Sequence, residues 1–277
     1  MNTNHSINCK GTLIDLSTPK VMGILNITPD SFFDGGRYKD ETSIINQVEK
    51  MLNQGATFID VGAYSSRPGA QHISEKEELQ RILPVIDLLI QNFPNILISV
   101  DTFRSQVATE CIDKGACMIN DISGGNLDPE MFATIARLQV PYVLMHMQGT
   151  PQDMQQAPVY KNVLTDIYFE LSKKLVLLQK LHAHDVILDV GFGFGKSIEN
   201  NYQLLKNLDY FQQLGTPILT GISRKSMLYK PLGTSPEQAL NATTIAHTIA
   251  LQKGTQILRV HDVKEAVEAV TIWKLLQ

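Results

Sequence analysis

The chain has 277 residues, room for one large domain or two small ones, and its 43% hydrophobic and 19% charged content is that of a globular protein. A formal net charge of −4, without any stripe of interleaved basic and aromatic residues, argues against nucleic acid or an acidic membrane as partner. Cys9, Cys111 and Cys117 have neither a CxxC spacing nor an even count, which argues against a disulfide framework or a zinc site.

The opening Met1-Asn-Thr-Asn-His-Ser6 lacks the apolar core of a signal peptide, and no run approaches membrane-spanning length. A reducing cytoplasm is therefore the expected location. Residues 6–16 read as a short hairpin turning near Lys10-Gly11, so that residues 1–19 form a cap ahead of the main pattern. From Val21 onward, apolar strand-like runs recur at Val21–Ile27, Thr57–Ala63, Ile96–Thr102, Met118–Ser123, Tyr142–Met147, Val186–Gly191, Ile218–Ser223 and Ile257–Asp262. Helical patterns lie between them. Ile44, Val48, Met51 and Leu52 share a helical face, and Gly55 suits a left-handed stop. Ser74-Glu-Lys-Glu77 reads as a capping box, with Pro84 a kink further on. Asp128-Pro129 and Ser235-Pro236 each read as an N-cap followed by proline at the first helical position. Val263–Leu276 closes the chain as an amphipathic helix.

Eight strands alternating with helices predict an α/β fold, a (β/α)8 TIM barrel with a short N-terminal hairpin cap, in one domain spanning 1–277. A doubly wound open sheet is the alternative, because periodicity does not show closure. The widest interval, 148–185, holds a polar loop with two prolines and a long helix from about Asn162. It reads as an insertion rather than a domain boundary.

In such a barrel the active site is built at the carboxyl ends of the strands. The first run ends on Asn26 and opens a loop through Thr28-Pro29-Asp30 to Gly35-Gly36. The second carries Asp60 and is followed by Tyr64-Ser-Ser-Arg-Pro-Gly69. The rest end on or carry Asp101-Thr102, Asn120-Asp121, His146, Asp189, Ser223-Arg-Lys-Ser226 and Arg259-Val-His261-Asp262. One polar strand end is ordinary turn chemistry; eight that can share one mouth are not. Asp101, Asn120 and Asp189 suit a flat heterocycle with several N–H donors, since a carboxylate accepts two parallel hydrogen bonds. Asn26, Ser66, Arg67, Arg259 and His261 form a second region equipped for an anion. Arg259 and His261 flank Val260 at period two, which predicts that both face the barrel interior.

Other signals fail. Gly195-Lys196-Ser197 hints at a phosphate loop, but Val190 stands where the pattern needs glycine, and Gly191, Gly193 and Gly195 do not fit GxGxxG. They read as a turn presenting Phe192 and Phe194. His146, inside an apolar run, reads as a core or pocket-floor residue, and Cys111 and Cys117 as packing residues.

The motifs Gly23-Ile-Leu-Asn-Ile-Thr-Pro-Asp-Ser-Phe32, Asp34-Gly-Gly36, Ser65-Ser-Arg-Pro-Gly69, Asn120-Asp-Ile122, Gly193-Phe-Gly-Lys196, Ser223-Arg-Lys-Ser226 and Arg259-Val-His-Asp262 together resemble the dihydropteroate synthase family. The match runs in order from about Val21 to the C-terminus. The resemblance implies a TIM barrel, usually dimeric, that joins p-aminobenzoate to dihydropterin diphosphate and releases pyrophosphate in folate synthesis. Residue by residue, it implies that Asn26 meets a Mg²⁺ bound to the diphosphate, and that Asp101, Asn120, Asp189 and Lys225 hold the pterin. Ser66, Arg259 and His261 would hold the diphosphate. Phe32, Arg67, Pro68, Phe194 and Ser226 would form the aminobenzoate pocket. Asp101, Lys225, Arg259 and His261 are the expected catalytic residues of an SN1-like reaction.

Two departures stand out. The second loop reads Gly62-Ala-Tyr-Ser-Ser66 where many members have Gly-Gly-Glu-Ser-Thr, and Val190 replaces a frequent proline. Neither removes a group the chemistry needs. A corrinoid-type pterin methyltransferase barrel would not need the Ser-Arg-Pro loop or the diphosphate donors, and a silent pterin-binding paralogue would not need Asn26, Arg67, Lys225 and His261 intact.

Overall fold

The computed structural model describes residues 6–27, 37–65, 72–150 and 159–277. Strands β1 (Ser6–Cys9) and β2 (Thr12–Asp15) form an antiparallel hairpin. Its two-residue turn sets Lys10 at φ 53 and Gly11 at φ 79, the left-handed pair whose twist matches a tight hairpin.

Eight parallel strands follow: β3 (Lys20–Asn26), β4 (Phe58–Gly62), β5 (Ile98–Asp101), β6 (Met118–Asp121), β7 (Tyr142–Met145), β8 (Val186–Asp189), β9 (Ile218–Thr220) and β10 (Ile257–Val260). They close in the order β10-β3-β4-β5-β6-β7-β8-β9, which makes the fold a barrel and rules out the open sheet. Several ladders stop short of the apolar runs. β7 ends before His146, β9 before Ser223 and β10 before His261, so these polar residues sit beyond the paired strands.

The connections include helices α1 (Arg37–Asn53), α2 (Glu75–Asn92), α3 (Ser105–Asp113), α4 (Met131–Leu138), α5 (Val163–Lys180), α6 (Ile198–Lys206), α7 (Ser226–Tyr229), α8 (Leu240–Gln252) and α9 (Val263–Lys274). Gly55 takes the expected left-handed conformation at φ 98. Ser74 Oγ accepts from Glu77 N at 3.2 Å, but the Glu77 side chain pairs with Arg81, one turn on. Asp128 does not cap α4, which begins at Met131. Its carboxylate accepts from Glu130 N at 3.0 Å and from Ser105 N at 2.7 Å, tying a turn ahead of α4 to the start of α3. Pro236 opens a short 3-10 turn, Pro236–Gln238, rather than α8 itself. Asn162 Oδ1 caps α5 through Leu164 N and Thr165 N. This helix buries Val163, Ile167, Leu171, Leu175 and Leu178, so within the 148–185 interval it serves as the barrel's own link from β7 to β8.

Alternation along the strands divides the interior into levels. Met22, Phe58, Met118, Val143, Ile187, Leu219 and Ile257, at or near the amino ends of their strands, form one buried cluster with Ile7, Cys9 and Leu16 of the N-terminal segment. The hairpin is thus the floor of the barrel, fastened also by Asn8 N donating to Asp185 Oδ2 at 2.9 Å. Ile7→Ala should lower the unfolding free energy by about 2–4 kcal/mol, as for a core truncation. Urea denaturation checks this; a change within about 0.5 kcal/mol, typical of a surface site, would mean that the hairpin is not docked.

Candidate active site

The register of the strands builds the site. Asn26 pairs with Gly62, Gly62 with Asp101, and Asp101 with Asn120, so four strand ends form one row across β3 to β6. A Cβ at Gly62 would lie 3.3 Å from Asp101 Cβ and 3.6 Å from Asn26 Oδ1. Glycine there lets the amide oxygen and the carboxylate approach each other. Asp121, next along β6, belongs to a different network. It accepts from Tyr142 Oη at 2.7 Å, from Ser123 N and Oγ at 2.7 Å each, and from Gly125 N at 2.8 Å. Of the Asn120-Asp121 pair, only Asn120 joins the barrel-mouth cluster.

Arg259 reaches across the interior. Its Nε donates to Asp60 Oδ2 at 2.6 Å and its Nη2 to Asp101 Oδ2 at 2.7 Å. Asn120 Nδ2 donates to the same Asp60 oxygen at 3.0 Å. Burial works against the Arg259 charge, but Asp60 and Asp101 outweigh it and hold the guanidinium more firmly protonated than usual. Burial also pushes the Asp101 carboxyl up, with Arg259 pulling the other way. The heterocycle and anion regions expected from the sequence are therefore joined by a direct ion pair. Asp60 was not singled out from the sequence as a site residue; a lone carboxylate inside an apolar run was the available signal.

Opposite this cluster stand Asp189 and Lys225. Gly191 N donates to Asp189 Oδ1 at 2.7 Å. Burial raises the Asp189 carboxyl while Lys225, that hydrogen bond, Lys196 and Arg259 lower it. A Cβ at Gly221 would come within 3.9 Å of both Arg259 and Asp189 Oδ2, so a glycine separates the two halves. The Lys225 ammonium donates to Phe192 O and lies 4.5 Å from the centroid of the Phe194 ring. Burial brings Lys225 down to about 8, partly offset by Asp189. Tyr64, Ile73, Phe103, Ile122, Met145 and Met147 form a buried apolar cluster, with Phe194 packed against it.

His261 is the less enclosed of the Arg259 and His261 pair. It lies one residue past β10, is exposed, and approaches Ser223 Oγ at 3.1 Å through Nδ1. Arg259 faces the barrel interior, as the period-two reading expects, while His261 lies past the end of the ladder. Ser226 opens α7 directly after Lys225 and is half-buried. Arg224, φ 55, forks onto Asp262 with two 2.8 Å bonds and so couples the loops that carry Lys225 and His261. Phe32, Ser66, Arg67 and Pro68 lie outside the described residues. Tyr64, the departure noted in the second loop, is buried, and its hydroxyl pairs with His72 Nδ1 at 3.2 Å.

A barrel mouth that combines this carboxylate and amide row with a flanking lysine has known counterparts. The model of the family described as pterin binding enzyme matches residues 22–261. The dihydropteroate synthase of Haemophilus influenzae is 43% identical over 263 residues, 94% of this chain and 95% of the relative. The chain belongs to the dihydropteroate synthase family. The synthase of Escherichia coli K12 is 42% identical over 95% of this chain and 93% of its own. Among solved members of the family, Yersinia pestis dihydropteroate synthase in a sulfonamide drug complex superposes with a TM-score of 0.91, at 42% identity and 98% coverage of both chains. The Xanthomonas albilineans synthase in complex with 7,8-dihydropteroate gives 0.87, at 35% identity and 98% coverage of both.

Asp60 is fully buried and shared by Arg259 and Asn120. Asp60→Leu should therefore cost about 3–5 kcal/mol, the usual penalty for stranding a buried charge. Chemical denaturation measures it; a loss near 1 kcal/mol would mean that Asp101 alone suffices for Arg259.

Proposed function

We propose that this chain is a dihydropteroate synthase, a transferase that joins p-aminobenzoate to the methylene carbon of dihydropterin diphosphate and releases pyrophosphate. The observation that carries the reading is the Asn26–Asp101–Asn120 row facing Asp189 and Lys225, in a chain about two-fifths identical to dihydropteroate synthases along nearly its whole length. The Xanthomonas albilineans synthase has been solved with 4-aminobenzoic acid, at 38% identity to this chain and a TM-score of 0.91.

Asp101, Asn120, Asp189 and Lys225 hold the pterin, whose ring N–H groups match the carboxylates and the Asn120 amide. Ser66, Arg259 and His261 take the diphosphate. Phe32, Arg67, Pro68, Phe194 and Ser226 form the aminobenzoate pocket. An aniline nitrogen is a weak nucleophile, so stabilising the leaving group does more than adding a base. The C–O bond to the diphosphate breaks first, in the SN1-like order. The aniline nitrogen then forms the new C–N bond to the methylene cation and loses one proton. Arg259 and His261 stabilise charge building on the departing diphosphate, while Asp101 and Asp189 set negative charge beside the cation in a water-poor pocket.

Asn26 would hold Mg²⁺. Its amide oxygen beside Asp101 fits an ion that takes one or two protein oxygens and is otherwise bound by phosphate and water. Among the described residues no group of three or more His, Cys, Asp or Glu side chains could hold a metal ion. When bound, the ion would neutralise diphosphate charge.

A homodimer in the cytoplasm completes the reading, with the two small-molecule substrates as ligands and neither nucleic acid nor membrane as partner. No helix among the described residues is long and apolar enough to cross a membrane. Ile245 and Ile249 on α8 and Ile272 on α9 are exposed on helices that pack together, a surface a second copy would cover.

Pyrophosphate release should require dihydropterin diphosphate, Mg²⁺ and p-aminobenzoate together, with dihydropteroate as the second product. Pterin binding without aminobenzoate-dependent product would instead indicate a silent paralogue. Lys225→Ala and Asp101→Asn should each lower kcat/KM by about 100-fold or more, as removal of a transition-state contact does, with an unchanged circular dichroism spectrum. Near-wild-type turnover in either variant would remove that residue from the mechanism. Light scattering should give the mass of two chains, falling to one in Ile245→Glu/Ile272→Glu; a dimer that persists would place the interface elsewhere.

A further inference from the structure

Behind the glycine-rich turn after β8 lies a buried charge chain that the mechanism above does not use. Lys196 is 4% exposed, and its Nζ lies 2.9 Å from Phe194 O, 3.3 Å from His146 O and 3.0 Å from His146 Nδ1. Burial brings Lys196 down to about 7, with Asp189 pulling the other way; as an ammonium it has three N–H donors, and each finds one acceptor here. The ammonium form of Lys196 fixes the tautomer of His146. Nδ1 accepts from Lys196 only if the imidazole proton is on Nε2, and Nε2 faces Glu170 Oε2 at 3.3 Å. Glu170 Oε1 in turn meets Lys174 Nζ at 2.9 Å. Burial and the neighbouring Lys196 bring His146 down to about 4, so it is neutral and free to accept near pH 7. No donor of Lys196 is left over for a phosphate.

The turn is built around this ammonium. Gly191, φ +69, passes so close that a Cβ there would sit 1.9 Å from His146 O and 3.3 Å from Lys196 Nζ. His146 N donates to Asp189 O at 2.9 Å, which ties the chain to the pterin side. Phe194, whose carbonyl Lys196 grips, presents its ring to the Lys225 ammonium.

We infer that Lys196, oriented by His146 and Glu170, is a positioning residue that fixes Phe194 and thereby the aminobenzoate side of the site relative to Lys225. The inference deepens the synthase reading and rests on it. Lys196 touches no substrate; it acts through the Phe194 backbone.

The test compares the wild-type enzyme with Lys196→Met, His146→Leu and His146→Asn. Steady-state kinetics give KM for p-aminobenzoate, and calorimetry gives Kd for dihydropterin diphosphate. Lys196→Met and His146→Leu should raise the aminobenzoate KM about 10- to 100-fold, the usual range for residues that orient a ligand-contacting group, while Kd for the diphosphate moves by less than about threefold. His146→Asn should recover most of that loss, because its Oδ1 stands where Nδ1 stood and still accepts from Lys196. A variant that merely loses stability would not give this split or this rescue. Unchanged KM in both His146→Leu and Lys196→Met, or parallel weakening of both substrates, would overturn the inference while leaving the function intact. If wild-type enzyme forms no dihydropteroate, the functional reading falls and this inference with it.

Discussion

Arg259 lies inside the barrel between Asp60 and Asp101, with Asn120 completing the cluster, and the geometry of the mouth follows from that contact. Strands β4, β5, β6 and β10 each contribute one member, so the side chains brace the wall across its open centre. Such buried ion pairs seldom stabilise a fold relative to a well-packed apolar core, because desolvation offsets the attraction. Their contribution here is geometric. Two carboxylates that would repel each other are held at fixed positions by one planar cation, and the low-dielectric surroundings strengthen every charge they present. Asp60 Oδ1 is buried without a hydrogen-bond partner among the described residues, so Asp60 binds both Arg259 and Asn120 through its other oxygen.

That polar upper chamber is possible because the lower interior is dry. Large apolar side chains fill the floor, and Ile7, Cys9 and Leu16 seal it from beneath. Without the hairpin, the apolar side chains at the amino ends of the strands would lose the cover of Ile7, Cys9 and Leu16. The cap keeps one end of the barrel closed so that charge can be used at the other, the division of labour general to this architecture.

Much of this was legible in the sequence. Eight apolar runs located the strands, and the polar residues toward the ends of those runs included Asn26, Asp101, Asn120 and Asp189, because strand period and barrel topology together send such residues to one mouth. The contacts across the barrel were not legible. That Arg259, besides being equipped for an anion, also pairs with the carboxylates of β4 and β5 depends on stagger and closure, which no single run encodes. The setting of His261 was not legible for a simpler reason, since period two applies only while the ladder lasts and β10 stops at Val260. Asp128 looked like a helix cap by local rule, yet a residue distant in sequence, Ser105, also claims its carboxylate.

The turn after β8 shows how a motif can mislead by composition and still carry function. Gly191-Phe-Gly-Phe-Gly-Lys196 resembles a phosphate loop, whose backbone N–H groups converge on an anion. Here those groups are already committed. Gly191 N binds Asp189 Oδ1, Gly193 N binds Asn201 Oδ1 at 2.7 Å, and Phe194 N binds Gly191 O at 3.1 Å. The carbonyls point the other way, Phe192 O to Lys225 and Phe194 O to Lys196. The polarity of the loop is therefore reversed: it cradles two lysines rather than a phosphate. Glycines are needed for the same reason in both designs, to let backbone approach charge closely. In this chain the charge belongs to the protein, one lysine turned toward the mouth and the other buried behind it, so the turn becomes a fixed wall between the two candidate substrate pockets.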